Sequence, residues 1–143
     1  MANEDIVVYA RPSLYRPKMV AAFAGWADVT QAGTSAISYL IRKLKAKEFA
    51  EINAEEFYDF PANRPMATIS QGVVQSVKLP SNRFYYVKSQ AGEHDIVLLL
   101  GIEPNLKWQR YVNSTTNFAN YWGVDQIYLL GGLYDAVTHT VEA

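Results

Sequence analysis

Three short apolar runs, Met19 to Ala24, Ile96 to Leu100 and Ile127 to Leu130, each run into a glycine: Gly25, Gly101 and Gly131. A run without polar alternation fits a strand covered on both faces, as in a parallel sheet between helix layers. The spacing predicts strands from about Lys18 to Ala24, over 96–100 and over 127–130. Between them, apolar residues return at three- and four-residue intervals. Gly33, Ala36, Ile37, Leu40, Ile41 and Leu44 form one helical face, with Asp28 and Gln31 at capping-box spacing ahead of it. Arg42, Lys43, Lys45 and Lys47 fall near its carboxyl end, where the macrodipole favours cations. Trp108, Tyr111, Val112, Thr115, Phe118, Ala119 and Trp122 form a second face, with Asn105 as the expected N-cap and Gly123 at the C′ position.

The middle of the chain is less regular. Residues 48–60 admit a strand through Phe49 and Ile52 or a short turn capped by Asn53. Met66 to Leu79 reads as one or two antiparallel strands with a bulge or bend at Gly72, and Phe84 to Lys88 as another strand after a turn at Pro80-Ser81-Asn82. This region is expected to extend the sheet edge. The last strand is expected parallel to the one before it, through a right-handed crossover. The pattern predicts a three-layer α/β fold: a mixed, mostly parallel sheet with helices on both faces, in a single domain over 1–143.

Sheets of this kind hold ligands beyond the carboxyl ends of their strands, and polar residues follow the glycines there. Asp28 is either a plain N-cap or a carboxylate facing a ligand at a helix amino terminus. Gly25 and Trp26 are candidates for a pocket lining or a subunit contact, with the alternative that Trp26 closes the core. Glu103, held between Gly101 and Pro104, is either an acid, base or acceptor at the rim or the partner of Lys107 or Arg110 in a loop salt bridge. His139, between two threonines, is the third rim candidate, and His94 is expected in a solvated turn. No catalytic residue is assigned.

Composition narrows the functions. Thirteen basic and fourteen acidic residues leave a formal charge of −1, which gives nucleic acid no concentrated cationic surface. The absence of cysteine removes disulfides, thiolate catalysis and sulfur-ligated metals. Neither HExxH nor GxxxxGK, GxSxG or GxGxxG occurs, so no metal or cofactor is expected. No apolar run approaches a membrane span and no leader pattern opens the chain, so a cytoplasmic protein is expected.

Phe23-Ala24-Gly25-Trp26-Ala27-Asp28, the stretch from Glu51 to Phe60 followed by Arg64-Pro65, Gly101-Ile102-Glu103-Pro104 with Trp108 and Arg110, and Gly131 to Thr140 occur in that order. Together they resemble the proteasome-assembly-chaperone-two family. The resemblance implies a phosphorylase/hydrolase-like α/β fold and a chain corresponding to the amino-terminal portion of a longer family member. It also implies homo-oligomers and a proteasome-related protein partner, since eukaryotic relatives help assemble the proteasome α-ring. Two family patterns differ here: Pro-His-Thr-Arg reads Thr138-His139-Thr140-Val141, and the hydrophobic-tyrosine-any-residue tail of some members is not repeated in Val141-Glu142-Ala143. A non-enzymatic role in protein association is expected, set against a small-ligand binder or hydrolase-like enzyme using Asp28, Glu103 and His139.

Overall fold

The structure, a computed structural model, describes residues 4–136, 138 and 140. Six strands form one sheet in the order β1-β3-β6-β7-β2-β8. They are β1 (Ile6–Val8), β2 (Lys18–Ala24), β3 (Lys47–Ile52), β6 (Asn82–Val87), β7 (Ile96–Ile102) and β8 (Gln126–Leu130). Strands β4 (Met66–Ser70) and β5 (Val73–Lys78) make a separate two-stranded ribbon, and the helices are α1 (Ala32–Lys43) and α2 (Trp108–Tyr121).

The apolar runs form the parallel part. β2 pairs with β7 over seven residues, from Lys18 opposite Ile96 to Ala24 opposite Ile102, and with β8 from Lys18 opposite Gln126 to Ala22 opposite Leu130. The crossover through α2 therefore carries β8 past β7 to the far side of β2. The other three pairings, β7 with β6, β6 with β3 and β3 with β1, are antiparallel. The sheet is thus mixed, and the expected excess of parallel pairing is corrected. Nor does the middle of the chain extend one edge: β3 and β6 lie inside the sheet, and β4 with β5 leaves it altogether. Three-residue β1 is too short for its alternation to stand out in the sequence.

Successive strand residues point to opposite faces. Met19 and Ala21 of β2 and Val97 and Leu99 of β7 cluster with Tyr111, Phe118 and Ala119 of α2. Their neighbours Ala22 and Leu98 pack with Ile37 of α1. Aromatic rings fill the α2 side, with Phe84 against Phe118 at 4.2 Å between centroids and Phe49 edge-on to Trp122 at 5.2 Å. Phe49, Phe57 and Phe84 have no exposed surface.

Several helix ends differ from expectation. Lys107, in the left-handed conformation at φ 53°, is the N-cap of α2. Asn105 instead accepts hydrogen bonds from the Asp59 amide at 3.0 Å and the Asn63 side chain at 2.7 Å. At the other end Gly123 takes φ 71°, as a C′ glycine should.

Asp95 fastens the segment leading into β2. Its carboxylate accepts from the Tyr15 amide at 2.7 Å, the Ser89 amide at 2.9 Å and Lys88 Nζ at 2.6 Å. His94 beside it is half-buried, its Nδ1 2.9 Å from the Arg16 carbonyl oxygen. Asp5 accepts from Arg110 at 2.5 and 3.0 Å and from Ser114 at 2.6 Å, tying the chain start to α2. In both aspartates burial raises the carboxyl pKa, but hydrogen bonds from these partners outweigh it and leave the value below the ordinary 3.8.

A carboxyl whose folded pKa is depressed contributes stability above its unfolded value and loses it as pH falls through the folded one. Melting temperature is expected to hold near neutrality and drop once pH passes below 3.8. Asp95→Asn should lower stability at neutral pH and flatten that acid decline. Thermal denaturation across pH checks both, and an unchanged acid slope in Asp95→Asn would contradict the assignment.

Candidate functional site

Because β2, β7 and β8 run in the same direction, their carboxyl ends share one rim of the sheet. Gly25 to Val29 leave β2 there, flanked by Glu103 after β7 and Gly131-Gly132 after β8. Backbone hydrogen bonds stitch the three exits. The Glu103 amide donates to the Ala24 carbonyl at 2.9 Å, the Gly132 amide to Ala27 at 2.8 Å, and the Val29 amide to Gly132 at 3.2 Å. Asp28 and Gly132 form an isolated parallel bridge.

Asp28 is buried, with 6% of its surface exposed. One carboxylate oxygen accepts from the Gly33 amide at 2.8 Å and the Thr34 amide at 3.1 Å, and the other from Thr34 Oγ1 at 2.5 Å. The aspartate thus satisfies two of the free amides that begin every helix. It does so across a 3-10 turn at Val29–Gln31 in which Thr30 and Gln31 both have φ 57°, so capping-box geometry with Gln31 does not form. The extra turn brings Gly33 against β8, where any side chain would meet the Leu130 carbonyl oxygen at 2.7 Å.

Glu103 is half-buried, and its Oε2 accepts from the Trp26 amide at 3.2 Å. The salt bridges expected with Lys107 or Arg110 give way to others: Lys107 pairs with Glu56, and Arg110 with Asp5 and Glu56. Gly25, at φ +155°, leaves room for the glutamate, since a Cβ there would sit 2.5 Å from its carboxyl carbon. Pro104 is buried beside it. Trp26 is the opposite case, with 78% of its surface exposed. His139 and the closing tripeptide 141–143 lie outside the described residues.

Next to the exit of Glu103 lies a buried network that the local pattern of residues does not announce. Asn82, expected in a turn, is the first residue of β6 and fully buried. Its Oδ1 accepts from the Ile102 amide and the Tyr111 hydroxyl, both at 2.8 Å, while its Nδ2 donates to the Tyr58 hydroxyl. Tyr58 in turn donates to the Ile102 carbonyl at 2.6 Å. Burial pushes the phenol pKa of Tyr111 far up, so the hydroxyl remains a neutral donor. The network binds β6, the end of β7, α2 and the loop through Tyr58 together, and so fixes where Glu103 leaves the sheet. An amide beside a proline and a serine carries no sequence signal of burial.

The parallel strands bring Asp28 and Glu103 to one rim, yet both carboxylates accept from the chain's own groups there. A groove of about 750 Å³ lies elsewhere, between β1 and α2, lined by Ile6, Val8, Arg11, Phe118 and Trp122 among others. The rim presents apolar side chains to solvent beside exposed polar Thr30, Gln31 and Asp135: Trp26, Leu133 and Tyr134 are exposed, and so are Ile127 to Leu130 of the adjoining edge strand β8.

A mixed α/β sheet with this order of strand exits defines the structural class, and comparison with known proteins places the chain within it. The model of the PAC2 family matches residues 22–143, so the chain belongs to the PAC2 family. A PAC2 family protein from Streptomyces avermitilis is 37% identical, with a TM-score of 0.79 over 87% of this chain and 53% of that one. A proteasome-assembly chaperone homologue from Mycobacterium tuberculosis is 31% identical, with a TM-score of 0.81 over 86% of this chain and 52% of that one. A Corynebacterium glutamicum protein of unknown function, 24% identical at TM-score 0.86 over 97% of this chain and 54% of that one, shares the fold. The chain therefore spans about half the length of these solved proteins. No curated protein matches it. Among the described residues no helix is long and apolar enough to cross a membrane.

Asp28→Ala is expected to lower unfolding free energy by about 0.5–2 kcal/mol, the usual cost of a lost helix cap. Asn82→Ala, which orphans a buried hydroxyl and a buried amide, should cost about 2–5 kcal/mol. Urea denaturation measures both, and a larger loss at Asp28 than at Asn82 would reverse this ranking.

Proposed function

We propose that this PAC2 family chain works by protein–protein association in a chaperone-like assembly role, with no reaction at the strand-end rim. The observation that carries this reading is β8. It is an edge strand of the sheet, and all five of its residues are exposed, Leu129 at 71%. Lysine, proline and bulges ordinarily guard such an edge, and β8 has none of them. Among the described residues the outer edge of β8 pairs with no strand, and with exposed Ile127, Tyr128, Leu129 and Leu130 it suits the addition of a partner strand. Trp26, Leu133 and Tyr134 continue that surface around the rim and are of types favoured at interfaces.

The partner we propose is a proteasome-related subunit, because a mycobacterial protein 31% identical to this one is described as a proteasome-assembly chaperone homologue. Self-association belongs to the same reading. So does a three-layer, phosphorylase/hydrolase-like arrangement with one helix over each face, supported by the division of β2 and β7 side chains between the α1 and α2 clusters. We take 1–143 as one domain, acting in the cytoplasm. Gly25, Trp26, Asp28, Glu103 and Pro104 then serve to shape and present the rim.

The test is native mass spectrometry of the chain mixed with purified proteasome α subunits. A complex is expected, and Leu129→Arg should weaken it about thirtyfold or more, as loss of an interface hot spot does. Leu129 is already exposed, so the fold should tolerate the change. Absence of any complex, or a Leu129→Arg complex as tight as the original, would overturn the reading.

A further inference from the structure

The six-stranded sheet has two edges, and the groove of about 750 Å³ lies beside β1, at the edge away from β8. Two neighbouring stripes of α2 line it, each repeating every four residues. One is exposed and holds Gln109, Asn113, Asn117 and Tyr121. The other holds Arg110, Ser114, Phe118 and Trp122, of which Ser114 and Phe118 are buried. Ile6 and Val8, two residues apart and therefore on the same side of β1, complete an apolar floor.

Size and spacing decide what shape fits. From Arg110 to Trp122 the helix rises ~18 Å, which leaves the groove a section of ~40 Å². One extended chain, ~4.8 Å by ~10 Å in section, matches that space, whereas a helix about 10–12 Å across has roughly twice the section. The exposed stripe has the matching period. Its amides recur every ~6 Å along α2, and peptide groups facing one side of a strand recur every ~6.7 Å. Over two intervals the mismatch is ~1.4 Å, small enough for side-chain torsions to absorb. The side chains of Gln109, Asn113 and Asn117 make no hydrogen bond among the described residues, so each has a donor and an acceptor to offer a peptide group.

Charge selects the segment. Arg11, Lys107 and Arg110 line the groove, and among the described residues no carboxylate does. Lys107 is already paired with Glu56, and Arg110 with Asp5 and Glu56. Arg11 is different: its guanidinium donates to the Tyr121 hydroxyl at 2.9 Å and meets no carboxylate within ion-pair distance among the described residues. The end of the groove beside Tyr121 therefore attracts an acidic side chain.

We propose that this groove binds an extended, acidic segment of another protein. About five or six residues span it at ~3.3 Å each, with apolar side chains at alternate positions on the floor and an Asp or Glu at Arg11. Gln109, Asn113 and Asn117 grip the backbone, so the binding energy does not depend on every side chain of the segment. A fatty-acid carboxylate would meet Arg11 and the floor but leave the amide stripe unused. The site lies five strand spacings, ~24 Å, across the sheet from β8, and it goes beyond the α-subunit reading without depending on it.

Fluorescence anisotropy of a fluorescein-labelled hexapeptide alternating Glu and Leu tests the proposal on the intact chain. Micromolar binding is expected, weakening as salt rises because the contact at Arg11 is open to screening. Replacing both amides, Asn113→Ala with Asn117→Ala, should raise the dissociation constant about tenfold or more. Arg11→Gln should raise it about fivefold and flatten the salt dependence. Asn120→Ala, on α2 but outside the groove, should change neither. All four positions are exposed, and circular dichroism checks that the variants fold. A hexapeptide alternating Lys and Leu should bind about tenfold more weakly or worse. No binding of the Glu-Leu peptide at millimolar concentration, unchanged affinity in the asparagine double variant, or equal affinity for the Lys-Leu peptide would overturn the proposal. Dodecanoate that displaces the labelled peptide as well as unlabelled Glu-Leu peptide does would also overturn it, in favour of an acyl carboxylate.

Discussion

The seven-residue parallel register between β2 and β7 is the constraint on which the rest of the structure depends. It sets Ala24 opposite Ile102, so both strands end level and the loops beginning at Gly25 and Glu103 leave side by side. A slip of one residue would exchange faces along the strand, moving Met19 and Ala21 from the aromatic side under α2 to the side of α1. It would also carry Glu103 away from the Trp26 amide it now receives. Core packing and rim geometry thus enforce the same register, so neither can be altered alone.

Where the sequence was legible, a single segment carried enough periodicity to determine itself. β2 and β8, the centres of the apolar faces of α1 and α2, and Gly123 at the end of α2 follow from local pattern, although Ala36, Leu44, Trp108 and Val112, expected on those faces, are exposed, and the family resemblance follows from residues in order along the chain. What escaped depended on distant partners. Asn82 is a turn residue by its neighbours and a buried bridge by its contacts with Tyr58, Ile102 and Tyr111. Asn105 has the chemistry of an N-cap, but the competing amides of Asp59 and Asn63 claim its oxygen. Direction in the sheet was legible only for strands linked through a helix, so the antiparallel pairings of β1, β3 and β6 were out of reach.

At the rim the fold brings polar residues together and turns their hydrogen bonds onto its own backbone. Asp28 and Glu103 do converge as adjacent parallel strands require. Yet Asp28 spends both oxygens on the start of α1, and Glu103 accepts the amide of the residue that follows Gly25. These hydrogen bonds close the loops that a glycine-ended strand leaves loose. The result is a firm platform from which Trp26 is held outward, its backbone fixed and its ring free.

The distribution of apolar surface completes the contrast. Phe49, Phe57, Phe84, Met19 and Leu99 are buried without remainder, so the chain does not expose Leu129, Trp26 or Val77 for want of a core to hold them. These exposed residues lie on the sheet edge and at one end of the sheet, away from the closed aromatic cluster beneath α2.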